Sequence, residues 1–364
     1  MGPQMLTHTT TRNMRISARF ATTVAAALLA TVGLLAQAPA PATDTPPLTI
    51  ARLLAARYPA QPIMSYIPAL SWSNSMRLST ITGEAQWREK ASKDMDAFLS
   101  GKTPAIAEPY RLTSLAGAQA FADAGSMAGN AAAAALASKV AEFMLPQSPD
   151  EVVRFATGWT DDMFMAGSVL SRVNNGAYGA AVGKLLTSYA AKLQRPDGIY
   201  IHAVDGPHAW GRGNGFALLG VTEALTNLPA AWADRARVLE IYRKHVTALA
   251  KLQSEDGSWR QVVDEPTSYH ELTVTAMTTA AMARGIRLGW IDRATFEPIV
   301  TRGWNAVASR VNADGTVRDV CSGTGVGPTK EYYLTRPAVN GADDRGGAMA
   351  LLASIEMEML RRAR

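Results

Sequence analysis

The sequence predicts an all-helical protein, an (α/α)6 toroid built from six helical hairpins, on three observations. Apolar residues recur at three- and four-residue steps along most of the chain. Alternating strand patterns are scarce and short. A unit of helix, turn, loop and helix repeats, with its turn glycines at 198, 257 and 315.

The first stretch reads as a leader rather than as fold. Residues 1–19 carry Arg12, Arg15 and Arg19 and no acid, an apolar run follows over 24–36, and small residues and prolines come next. This is the layout of a secretory signal peptide, with Ala40-Pro41-Ala42 as the cleavage motif. The apolar run is short for a membrane span; the alternative is an anchor that stays attached. Residues 1–42 are thus assigned to the leader and 43–364 to one catalytic barrel. Without the leader the formal charge falls from +5 to +2, which leaves no basic stripe for nucleic acid and no polybasic membrane patch. The single cysteine, Cys321, permits no intramolecular disulfide, so an exported chain must rely on its core. With 364 residues, 48% of them hydrophobic, that core can be large. A periplasmic or secreted location follows.

The helices come next. Segments 109–126, 129–144, 160–173, 214–227, 230–253, 270–284 and 344–363 read as helical, and about eleven helices are expected in all. Within 230–253, Leu239, Tyr242, Val246, Leu249 and Leu252 form an apolar stripe against Arg235, Arg237, Arg243, Lys244 and Lys251. Leu185, Tyr189 and Leu193 form another stripe, and Ile299, Gly303, Val307 and Val311 a third.

The repeat reads Leu193-Gln194-Arg195-Pro196-Asp197-Gly198, then Leu252-Gln253-Ser254-Glu255-Asp256-Gly257, then Val311-Asn312-Ala313-Asp314-Gly315. Each Asp-Gly pair is expected to end a helix in a tight turn, with the glycine left-handed. A short extended piece follows each one. Residues 43–364 hold nearly six such units, which can close into a ring; the alternative is an open solenoid. Four residues past each glycine stand His202, Gln261 and Asp319, which a closed ring would bring to one mouth.

Two segments could carry chemistry. In Trp159-Thr160-Asp161-Asp162-Met163-Phe164-Met165 two acids open an apolar helix. One can accept backbone N–H groups there. Consecutive helical positions point about 100° apart, so the other is free to face the pit. Burial beside Trp159 and Met165 would favour its protonated form and suit it to general acid work. In His208-Ala209-Trp210-Gly211-Arg212-Gly213-Asn214-Gly215-Phe216, alternate glycines let the backbone approach something closely. Trp210, Arg212 and Asn214 offer a stacking face, a carboxylate fork and amide hydrogen bonds, which suits a sugar acid. The competing reading is a glycine-rich turn with Arg212 paired to a structural acid. His202 lies close to this loop. Ser268 with Glu271 reads as a capping box. No HExxH, CxxC or P-loop occurs, so neither a metal nor another cofactor is expected.

Together these segments resemble the unsaturated glycuronyl and rhamnogalacturonyl hydrolases, glycoside hydrolase family 105, related to family 88. The resemblance runs from about residue 155 to the C-terminus. Its marks are the 159–165 segment, Tyr200-Ile201-His202, Trp210-Gly211-Arg212-Gly213-Asn214-Gly215-Phe216, Asp256-Gly257-Ser258-Trp259 and Arg287-Leu288-Gly289-Trp290. It implies the (α/α)6 barrel and hydration of the 4,5-unsaturated uronic acid that lyases leave on acidic oligosaccharides. It assigns Asp161 as the acid that protonates the double bond and then activates water, and leaves Asp162 at the helix start. It places Trp159, His202, Trp210, Arg212, Asn214 and Phe216 around the substrate. The chain departs from the family at Phe216, where a tryptophan is usual. A second family acid is matched only by Glu108. The alternatives are ordinary glycoside hydrolysis or lyase action on a saturated acidic polysaccharide, and carbohydrate binding without catalysis.

Overall fold

The inner wall of the molecule is a closed ring of six helices. The computed structural model describes residues 46–363, so the leader expected at 1–42 lies outside the described residues. In chain order the helices are α1 (Pro46–Arg57), α2 (Tyr66–Thr82), α3 (Ala85–Leu99), α4 (Leu112–Leu115), α5 (Ala118–Ala128), α6 (Ala131–Met144) and α7 (Asp161–Leu170). They continue as α8 (Gly179–Leu193), α9 (Gly211–Asn227), α10 (Arg235–Lys251), α11 (Leu272–Arg287), α12 (Arg293–Ala308), α13 (Lys330–Leu334) and α14 (Asp344–Arg362). Helix α2 packs on α5, α5 on α7, α7 on α9, α9 on α11, α11 on α14, and α14 returns to α2. Outside, α1, α3, α6, α8, α10 and α12 back α14, α2, α5, α7, α9 and α11. That is the (α/α)6 toroid, and the open solenoid is excluded.

Composition sorts the two layers. Helices α9 and α11 are buried along almost their whole length, as their small and apolar residues on every face require. Helix α10 buries Val238, Tyr242, Val246 and Leu249 and leaves its basic residues outside. In α8 the stripe Leu185, Tyr189, Leu193 faces inward.

The repeat turns are alike in detail. Gly198, Gly257 and Gly315 all have left-handed φ, at 99°, 87° and 79°. The aspartate before each accepts from the backbone N–H two residues on, Ile199 at 3.0 Å, Ser258 at 3.0 Å and Thr316 at 2.9 Å. After two of these turns lie antiparallel pairs of short strands, β1 (Trp259–Arg260) with β2 (His270–Glu271), and β3 (Val317–Cys321) with β4 (Ala338–Gly341).

Some boundaries differ from the sequence reading. The expected helix 109–126 is a loop to Arg111, one turn in α4, and then α5. The helix expected from 270 starts at Leu272, because 270–271 pair as a strand. The capping box is replaced by a simpler cap: Glu271 itself accepts from Val274 N, while Ser268 Oγ accepts from Val262 N at 2.9 Å.

At the end of the ring away from the starts of α7, α9, α11 and α14, a ladder of ion pairs visits all six inner helices. Arg77 of α2 pairs with Glu356 of α14. Arg284 of α11 binds Glu356 at 2.6 Å and Glu223 of α9 at 2.8 Å. Arg172, just past α7, binds Glu223 at 2.6 Å and Asp123 of α5 at 2.9 Å. Arg287 adds a third guanidinium to Glu356 at 3.1 Å.

Candidate active site

The two acids at the start of α7 part as helix geometry demands. Asp162 is buried and turns back on the loop before the helix. It accepts from Thr157 N at 2.7 Å, Gly158 N at 2.9 Å, Thr157 Oγ1 at 3.0 Å and Tyr189 Oη at 2.7 Å. Burial lifts its carboxyl to about 6 despite those donors. The fully buried acid is therefore Asp162. Asp161, whose side chain is 17% exposed, faces a cleft instead of sitting sealed at the floor of a pit. Its Oδ2 lies 3.2 Å from His202 Nε2, and no hydrogen bond reaches Oδ1 among the described residues.

His202 is held from both sides. Thr160 N donates to His202 O at 3.0 Å, which ties the start of α7 to the piece after the first repeat turn. Its Nδ1 lies 3.1 Å from Tyr333 Oη. Gly327 N donates to that same Oη at 3.4 Å, so the phenol proton points at Nδ1 and the imidazole hydrogen sits on Nε2, toward Asp161. Burial pushes Tyr333 up to about 12, so it stays a donor. Trp159 and Trp210 flank the imidazole with ring centroids at 5.3 and 4.6 Å.

The glycines read as a loop lie in the first turns of α9, which begins at Gly211 rather than at 214, and they serve the protein's own packing. A side chain at Gly213 would meet Thr160 Oγ1 at 2.7 Å and the Trp210 ring at 3.1 Å; one at Gly215 would strike Met277 at 2.2 Å. The close approach is thus to α7 and α11. Three residues placed at the substrate by resemblance are committed inside the protein. Asn214 accepts from Tyr200 N at 2.9 Å, meets His245 Nε2 at 3.0 Å, and donates to Tyr200 O and Trp210 O. Arg212 donates to Thr273 Oγ1 at 2.9 Å and to Cys321 O, and lies 3.6 Å from Glu271, the structural acid of the competing reading. Phe216 is buried, stacked on Phe164 at 5.8 Å and met edge-on by Tyr66 at 5.4 Å.

Of the three repeat-loop positions only His202 reaches the site. Gln261 is buried and donates to Tyr333 O at 3.0 Å, and Asp319 pairs with Arg310 at 3.2 Å. Glu108 is exposed and does not line the cleft, so it supplies no second acid there. The cleft, of about 430 Å³, runs from Asp161 and Trp159 to Tyr110 and Arg111 on the loop before α4. Sequence reasoning gave no site role to Tyr66, Tyr110, Arg111 or Tyr333. Tyr66 sits among the charges of Arg212, Asp161 and Arg345. No local motif marks these residues; each reaches the site only through tertiary packing, Tyr110 and Arg111 through α4 against α7.

Comparison with known proteins agrees with this architecture. A structure of a family 105 glycoside hydrolase from C. acetobutylicum superposes with a TM-score of 0.75 at 19% identity, over 85% of this chain and 99% of that one. An unsaturated 3S-rhamnoglycuronyl hydrolase from Alteromonas sp. is 32% identical over 113 residues, 30% of this chain and 27% of the relative. Unsaturated rhamnogalacturonyl hydrolase YesR of Bacillus subtilis is 26% identical over 230 residues, 55% of this chain and 64% of the relative. The matched stretches thus span about a quarter and just under two thirds of these curated relatives. The profile of Glycosyl Hydrolase Family 88 matches residues 54–361, almost the whole described ring, and the chain belongs to that family.

Proposed function

We propose that this protein is an exported hydrolase that releases a 4,5-unsaturated uronic acid from the non-reducing end of lyase-generated oligosaccharides, with Asp161 as its acid and base. One observation carries the reading. Both adjacent acids border the cleft, but Asp162 is buried and consumed by four donors, while the Asp161 side chain stays 17% exposed with His202 behind it. Ordinary glycoside hydrolysis needs two carboxyl groups across the bond, about 5–10 Å apart. Hydration of a vinyl ether needs one group that gives a proton and takes one back.

Protonated Asp161 gives the proton on Oδ1 to C4 of the sugar. The C4=C5 pair forms the new C–H bond, and positive charge spreads over C5 and the ring oxygen. The carboxylate left behind takes a proton from water as the water oxygen bonds to C5. The resulting hemiketal opens the ring, and the C1 hemiacetal then releases the leaving sugar. Hydrogen bonding from His202 Nε2 to Oδ2 stabilises the carboxylate between the two halves. Trp159, which lines the cleft, supplies an apolar face for the sugar, whereas Trp210 is buried against the imidazole and does not line the cleft. The names of the Alteromonas and Bacillus relatives, both unsaturated-uronyl hydrolases, support the substrate class. The leader read at 1–42 supports export to the periplasm or beyond.

The test follows loss of the ultraviolet absorbance of the unsaturated uronate in lyase-generated oligosaccharides. Wild type should consume it, and Asp161→Asn should lower kcat by about 10²–10⁴-fold with its circular dichroism unchanged. Reducing sugar released from saturated substrate, with the absorbance intact, would establish the glycosidase alternative instead.

A further inference from the structure

We propose that the cleft beyond Asp161 is a leaving-side subsite for a sugar bearing a negative group, a sulfate or a carboxylate, and that Arg111 reads that group. The inference rests on the hydrolase reading for its direction. The unsaturated residue is the chain end and must place its double bond at Asp161, whose Oδ2 turns inward to His202. The rest of the oligosaccharide then continues along the cleft toward residues 110–113.

The lining suits a sugar. At about 430 Å³ the cleft lies within the range of small-molecule sites. Tyr110, Phe155 and Trp159 present rings to it, against which the C–H face of a pyranose can lie. Tyr110 remains 39% exposed although its ring is braced by Phe143 at 5.1 Å and Phe155 at 5.6 Å. Bracing of that kind holds a stacking face in place before the ligand arrives.

The charge distribution selects the ligand. Arg111 is the sole cation lining the cleft, and among the described residues its guanidinium has no hydrogen bond and no ion pair. Its backbone is fixed, since Arg111 O accepts from Ser114 N and Leu115 N at 3.0 Å each. The neighbouring cation is committed: Arg154 donates to Phe143 O at 3.1 Å and lies over the Phe143 and Phe155 rings at 4.5 and 4.7 Å. Arg212, deeper in, is bound to Thr273, Cys321 and Glu271. A free guanidinium on a fixed backbone, beside a stacking ring, matches a planar or tetrahedral oxyanion carried on a sugar.

Three unsaturated disaccharides with the same non-reducing residue and a sulfated, a carboxylated or a neutral second sugar test the proposal. Wild-type kcat/KM at low salt should favour one or both anionic substrates over the neutral one by about tenfold. Arg111→Gln should remove that preference through KM, leave the neutral substrate within about twofold, and be partly restored in Arg111→Lys. The anionic substrate that loses most identifies the group. Equal loss on all three would put Arg111 at the uronate carboxylate and overturn the inference, as would a wild type without preference. Turnover of none of the three would remove the hydrolase reading, and the subsite is then judged by tryptophan fluorescence titration with the same disaccharides. Tighter binding of an anionic one, lost in Arg111→Gln, supports it; equal binding of all three overturns it.

Discussion

The two ends of the ring both bury carboxylates and treat them in opposite ways. At the closed end, burial alone would raise Glu223, yet the guanidiniums of Arg172 and Arg284 outweigh it and hold the carboxyl down to about 2. Glu356, ringed by Arg284, Arg77 and Arg287, is likewise lowered against its burial. At the mouth, Asp162 is as deeply buried but meets only neutral donors, and it rises to about 6. Depth is similar at both ends, so the charge of the partner sets the direction. The closed end is built to hold ionised acids still. The mouth holds Asp162 with neutral donors alone, and there burial prevails.

The largest test of that contrast removes one acid from the ladder. Glu356→Gln leaves three guanidiniums facing a neutral amide, so the repulsion once cancelled by Glu356 is released. The expected loss is about 3–5 kcal/mol of unfolding free energy, read from urea denaturation. Turnover by the molecules that stay folded should be unchanged, because Asp161 and its partners lie at the other end. A loss below about 1 kcal/mol would mean the ladder is ornamental to ring closure.

The next test uses pH, to which the two ends respond with opposite sign. Asp162 binds its proton more tightly folded than unfolded, so stability falls as pH rises between about 4 and 6, by about 3 kcal/mol for the full shift. Glu223 binds its proton less tightly when folded, so its contribution is present above about 4.5 and lost as pH falls toward 2. Urea midpoints between pH 4.5 and 6.5 isolate the first effect. Asp162→Asn should flatten the slope there, whatever it does to stability overall. An unchanged slope would assign it to another group and dissolve the comparison.

What could be read in the sequence follows the range of the interactions. The Asp-Gly turns were legible because an aspartate accepting from the N–H two residues on, with a left-handed glycine between, is complete within four residues. Their spacing divided into the chain length gave nearly six units, which favoured the ring over the open solenoid. The divergence of Asp161 and Asp162 was also legible, since it is helix geometry alone. The glycine loop was read in part. Polar residues among glycines look the same whether they meet a substrate or Thr273, Cys321 and Tyr200, and those partners lie 61, 109 and 14 residues away in the chain. Tyr333 stayed hidden for the same reason: it stands 131 residues from the histidine it orients. The helix expected over 109–126 hid Arg111 by placing it inside an element that in fact begins after it.

The smallest effect asked of the mouth is the most specific to it. Tyr333→Phe deletes two neutral hydrogen bonds, the one to His202 Nδ1 and the longer one from Gly327 N, behind His202 and away from the residues that line the cleft. A bond of that kind contributes about 0.5–1.5 kcal/mol, so kcat should fall by roughly 2- to 12-fold with KM nearly unchanged. The change should also alter the pH–rate profile, because an imidazole free to move its hydrogen to Nδ1 no longer donates steadily to Asp161 Oδ2. A purely structural tyrosine would change the amount of active enzyme and leave the shape of that profile alone. If the shape is preserved, His202 takes its orientation from Trp159, Trp210 and its backbone bond to Thr160. The tuning of the mouth would then lie in packing, while the closed end would still depend on charge.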